Sequence, residues 1–91
     1  MKRRIHLIIH GRVQGVLFRS NTRFHAKSLQ LAGWVRNNLN GTVEIVAEGE
    51  EENLKELMRW CARGPRGASV EKVDTQWLPY KAEFSAFEVL R

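Results

Sequence analysis

Apolar and polar positions alternate along some stretches of this chain and recur at helical spacing along others, and the changes of period divide it into elements. Ile5 to Val13, IHLIIHGRV, is aliphatic, β-branched and too short to favour a helix, which predicts a mostly buried strand ending near Gly11. Phe18, Thr22, Ala26 and Leu29 then fall at helical spacing, predicting a first helix from Phe18 to Gln30 ahead of the breaker Gly33. GWVRNN and TVEIVAEG flank Asn38 to Gly41, and the Asn40-Gly41 pair, both tolerant of positive φ, predicts an antiparallel hairpin. In its second arm Val43, Ile45 and Ala47 alternate with Glu44, Val46 and Glu48, the pattern of one buried face and one mostly wet face. Leu54, Leu57, Met58 and Cys61 recur at i, i+3, i+4 and i+7, with acids before them, Arg63 near the end and Gly64 beyond, which predicts a second helix. GPRGAS reads as a loop, VEKVDTQWL as a fourth strand, and FSAFEVL as a closing strand after Pro79.

This order matches the split βαβ pattern, so the expected class is α+β: a ferredoxin-like βαββαβ sandwich, an antiparallel sheet with two helices on one face and an extra C-terminal strand. Its 91 residues suit a single domain over 1–91. No stretch approaches the roughly 18 apolar residues of a membrane span, and the basic start lacks the apolar length and cleavage site of a leader. A cytoplasmic protein without a membrane partner is expected. Cys61, the one cysteine, excludes an intrachain disulfide and a thiolate cluster, and its place on the apolar stripe reads as a small core residue.

A formal charge of +5 admits an anionic partner. The only basic run, Lys2, Arg3 and Arg4, reads as a solvated terminal tail. His6, His10 and His25 are poorly spaced for a joint site, and no carboxylate accompanies the two in the strand, so surface or edge positions are expected and no metal. Trp34, Trp60, Trp77, Phe24, Phe84 and Phe87 offer rings for base stacking, but they stand where core packing explains them equally well, and the RNA-binding signature of this fold is missing.

The informative segment is HGRVQGVLFRS, which leaves a strand, passes two glycines and places Arg19 in the first turn of a helix. Helix N-termini offer unpaired N–H donors, glycines let consecutive N–H groups turn inward, and a guanidinium supplies a planar fork for phosphate oxygens. The same residues also describe a tight connection followed by a solvated arginine, and the loop is neither GxxxxGK[ST] nor GxGxxG.

GRVQGVLFR, GWVRNNLNGTVEIVAEGE and GPRGASVEKV together resemble the acylphosphatase family, whose signatures are a GxVQGVxFR loop and a GWVxN…GxVE hairpin. The likeness runs from Ile5 to Val89. It implies hydrolysis of an acyl phosphate to a carboxylate and inorganic phosphate, with no cofactor and no metal. It also implies that Arg19 is the catalytic, phosphate-binding arginine and Asn37 the catalytic asparagine, with the backbone of Gln14, Gly15, Val16, Leu17 and Phe18 forming the phosphate cradle. Leu17 stands where relatives often have Gly or an aromatic residue, and Asn40 where Asp is frequent; neither change removes a catalytic group. The implied partners are a small-molecule acyl phosphate and its phosphate product, with no nucleic acid, for a monomer. The alternative on the same fold is a catalytically inactive anion-binding or RNA-binding module.

The chemistry needs little machinery. A leaving carboxylate has a conjugate acid of pKa about 4 to 5 and departs at neutral pH without a general acid. Asn37 is no strong base, but its carboxamide can hold a water in line behind phosphorus. Position alone, at a strand end, would make it a turn cap.

Overall fold

A computed structural model describes residues 1–91. The elements are β1 (Lys2–Arg12), α1 (Phe18–Ser28), β2 (Ala32–Asn37), β3 (Val43–Glu50), α2 (Glu51–Arg63), β4 (Ser69–Leu78) and β5 (Phe87–Val89). They form a five-stranded sheet in the order β4-β1-β3-β2-β5. The first four strands pair antiparallel, as the ferredoxin-like pattern requires, whereas β5 joins β2 in parallel and makes the sheet mixed. The closing strand is only three residues long, bracketed by bonds from Gly33 N–H to Ala86 C=O and from Leu90 N–H to Val35 C=O.

One face of the sheet carries the core. Ile5, Leu7 and Ile9 of β1 and Val43, Ile45 and Ala47 of β3 are fully buried together with Phe18, Ala26, Leu54, Leu57 and Cys61 from the helices. Helix α1 lies over β2 and β5, and α2 over β1, β3 and β4. At 11 residues α1 is shorter than the about 12–15 at which isolated helices become even marginal in water, so packing of Phe18, Thr22 and Ala26 holds it. It stops at Ser28, two residues before the expected Gln30, because Gln30 turns to positive φ. The N–H of Leu31 then bonds to Ala26 C=O and that of Gln30 to Lys27 C=O, a Schellman ending.

Several local readings give way to contacts between distant residues. Lys2, Arg3 and Arg4 are not a tail but the start of β1. The Arg3 guanidinium lies over the Trp77 ring at 4.4 Å, and Arg4 reaches Glu48 at 3.3 Å and Glu83 at 2.5 Å. The second face of β3 is drier than its alternation suggests: Val46 and Glu48 are both buried, since β3 is central and the β4–β5 connection folds over Glu48. Nor do His6 and His10 sit at an edge without carboxylates. β1 is an inner strand, and its neighbours set Glu44 at 2.6 Å from His6 and Asp74 at 2.9 Å from His10. In the hairpin, Gly41 alone of the Asn40-Gly41 pair has positive φ. The three tryptophans are half-buried and Phe87 is buried, but Phe24 stands in solvent. No helix is long and apolar enough to cross a membrane.

Candidate active site

Near its end β1 is bent by a register shift between His10 and Gly11. Gly11 sits at φ 125°, and a Cβ there would strike the Ser69 carbonyl oxygen, so no other residue fits the bend. Val13 is buried and anchors the loop that follows. Gly15 has φ 76° and Leu17 φ 62°, ψ 26°, while Val16 between them keeps a negative φ. Alternation of this kind turns successive N–H groups toward one side, the geometry of an anion nest. A leucine in the left-handed region is unusual, and this one is 72% exposed, so its side chain gains nothing from packing there. The conformation serves the backbone.

Leu17 is also the residue preceding α1, and it provides no side-chain cap; no acid occupies the first turn. The positive helix end therefore stays uncompensated where Arg19 adds a full charge. Arg19 makes one long contact, Nη1 to Leu90 C=O at 3.5 Å, and forms no ion pair.

Gln14 ties this loop to the hairpin. Its Nε2 donates to the carbonyls of Asn38 at 2.8 Å and Thr42 at 2.9 Å. The hairpin turn is closed by its own residues: Asn38 N–H donates to Thr42 C=O, Asn38 Nδ2 to Thr42 Oγ1, and Asn40 Oδ1 accepts from both Thr42 N–H and Thr42 Oγ1. With the capping done by Asn38 and Asn40, Asn37 at the end of β2 is left free of the turn. Its Oδ1 is buried with no hydrogen-bond partner, an arrangement that costs roughly 1–3 kcal/mol unless something supplies a donor.

A cavity of about 670 Å³ brings Gly15, Leu17, Phe18, Arg19 and Asn37 together. Gln14 and Val16, the other residues expected in the cradle, are not in its wall: the Gln14 side chain serves the hairpin and Val16 packs on the core. Arg23, Glu88 and Arg91 are also in the wall and were not foreseen. The spacing of Arg23, four residues after Arg19 on the same helix, was a usable signal. Glu88 and Arg91 arrive through the parallel strand, for which element order gives no direction. Elsewhere, burial pushes the Cys61 thiol far up, so it is no nucleophile. His25 stacks on Trp60 with ring centres 4.4 Å apart.

A loop of alternating backbone sign, an uncapped helix N-terminus and an unpaired arginine are the elements from which a site for a tetrahedral anion can be built, with the amide of Asn37 in the same cavity wall. A family model described as Acylphosphatase matches residues 5–89. The chain belongs to the acylphosphatase family. Acylphosphatase from Pelotomaculum thermopropionicum is 48% identical over 86 residues, covering 94% of both chains. The solved structure of an acylphosphatase from Coxiella burnetii superposes with a TM-score of 0.93 at 39% identity, covering 98% of this chain and 93% of that one. Acylphosphatase from Bacillus subtilis gives 0.94 at 32% identity, covering 100% of both chains. Acylphosphatases hydrolyse acyl phosphates, and the chain is an enzyme of that reaction, with a small-molecule acyl phosphate as substrate.

Proposed function

We propose that this hydrolysis takes place in the cavity between the Gly15–Leu17 loop and the end of β2, with Arg19 and Asn37 in separate roles. The carrying observation is that an unpaired guanidinium and a buried, unpartnered amide oxygen belong to the wall of one cavity. The N–H groups of Gly15, Leu17 and Phe18 and the fork of Arg19 hold the phosphoryl oxygens and spread their charge as the transition state forms. The carboxamide of Asn37 holds a water and fixes it behind phosphorus. The water oxygen bonds to phosphorus as the bond from phosphorus to the acyl oxygen breaks, and the carboxylate leaves with its electron pair. The proton of the water passes to a phosphoryl oxygen. No residue has to titrate near neutrality, and neither a metal nor a cofactor is called for by this leaving group.

The reading includes a single domain over 1–91 that works as a monomer in the cytoplasm without nucleic acid. One contiguous core, a site built within one chain and a free Cys61 support it. Of the rings that could stack bases, the three tryptophans are engaged otherwise, Trp77 beneath Arg3, Trp34 beneath Arg36 and Trp60 against Phe18.

Hydrolysis of benzoyl phosphate, followed with and without EDTA beside Asn37→Ala, tests it. Turnover should survive EDTA and fall about 10²- to 10³-fold in the variant, as for loss of one oriented hydrogen bond at a reacting centre, while inorganic phosphate still binds. Phosphate binding without any turnover in the unaltered protein would make the site an inactive anion binder.

A further inference from the structure

Two cations of α1 beside the cradle have no task in that mechanism. Arg23 and Lys27 follow Arg19 at intervals of four residues, which sets the three along one side of α1. Four residues advance a helix by about 6 Å, and long helical side chains lean toward the N-terminus, here the end that carries the cradle. Arg23 belongs to the wall of the main cavity. With Ser20 it also lines a neighbouring hollow of about 590 Å³ that continues along α1 past Phe24 and Lys27.

The Arg23 stem is fixed, since Nε donates to Phe87 C=O at 3.2 Å. Its Nη groups are not engaged. Arg19, Arg23 and Lys27 have no carboxylate partner, a state they share with six other cations of the chain, of which only Arg91 also lines the main cavity. On the β5 side of the cavity wall the acid Glu88 and the cation Arg91 offset each other, whereas the charged residues along α1 are all cations. An anion extending from the phosphoryl group is thereby directed along α1.

Building on the assignment of acyl phosphate hydrolysis to this cavity, we propose that Arg23 determines substrate specificity. It binds a carboxylate at the far end of the acyl group, so that acyl phosphates with a second, distal anion are selected over those with a plain alkyl chain. The fork of Arg23 suits a carboxylate, and Lys27 adds a longer-range attraction in the same direction.

Succinyl phosphate and butyryl phosphate have acyl chains of equal length and differ in a terminal carboxylate against a methyl, so the ratio of their kcat/KM values reads this contact. The ratio should exceed one for the unaltered protein, fall about tenfold in Arg23→Gln and drop below one in Arg23→Glu. It should also fall in the unaltered protein as salt rises from about 20 mM to about 0.2 M, because the contact is open to solvent and screened. This second measurement decides the matter should the Arg23 variants fail to fold. A ratio that responds to neither substitution nor salt overturns the specificity role alone. Absence of turnover on both substrates by the unaltered protein overturns the assignment of the reaction as well.

Discussion

Asn37 and Glu48 stand at opposite ends of the same β2–β3 hairpin, Asn37 opposite Val43 and Glu48 opposite Ala32, and their surroundings treat polar groups in opposite ways. Glu48 is buried with both oxygens occupied: Oε2 accepts from Lys81 N–H at 2.8 Å and Arg4 Nη1 at 3.3 Å, Oε1 from Glu83 N–H at 3.0 Å. Its bonds pin the β4–β5 connection to the sheet. At the other end Arg19 has no carboxylate, α1 has no cap and Asn37 Oδ1 has no donor. The chain holds two buried side-chain polar atoms without partners, one in each region, and they differ in setting. Arg4 Nε lies with its guanidinium over the Phe84 ring at 5.1 Å, inside a structure already closed, while Asn37 belongs to the wall of a cavity. Satisfied polar groups secure the connection at one end, and at the other the polar groups of the cavity wall are left without protein partners.

Removing the central group from each end should therefore have effects of different kind. Arg19→Ala should lower kcat/KM for an acyl phosphate by about 10³-fold or more and abolish competition by inorganic phosphate, with little change in the unfolding free energy. Arg19→Lys should fail to restore turnover, because a point charge does not reproduce the fork. A large loss of stability in Arg19→Ala would break the contrast.

Glu48→Ala should do the reverse, lowering the unfolding free energy by about 3 kcal/mol, as when one partner of a buried pair is removed, in urea denaturation at neutral pH. Its KM should hardly move. The same group fixes a sign for pH. Burial pushes the Glu48 carboxyl up, but the N–H groups of Lys81 and Glu83 together with Arg4 outweigh it and hold the carboxyl below its ordinary value. Glu44 follows the same pattern, burial being outweighed by His6 and Arg36. A carboxyl depressed in the folded state contributes its stability above the unfolded value, about pH 4.3, and loses it as pH falls through the folded one. Unfolding free energy should accordingly decline below about pH 4.3, and less steeply in Glu48→Gln.

The smallest effect sharpens the comparison at the site itself. Leu17→Gly should raise stability by about 0.5 kcal/mol, the relief of a left-handed leucine less the added chain entropy of glycine. A loss in thermal or urea unfolding would mean that the exposed leucine packs after all.

Much of the fold was legible because its signals are local. Val43, Ile45 and Ala47 alternate, Leu54, Leu57 and Cys61 keep helical spacing, and both sets are buried as they predict. Arg19 and Asn37 were legible through two motifs carried on different elements, and the fold brings them to one cavity. What escaped depends on residues far apart in the chain. The Lys2–Arg4 run belongs to the sheet because Trp77, Glu48 and Glu83 receive it. Glu48 is buried because a connection more than 30 residues later donates to it. Gln14 shows a third case, its membership of the loop plain from the motif but its side chain committed to the hairpin.

That last bond has a kinetic consequence. Gln14 joins the loop that would grip the phosphoryl group to the turn that follows Asn37, so the two halves of the site are spaced by the resting protein and not by the arrival of substrate. A site spaced in this way would need no closing step to bring its two halves together before bond breaking.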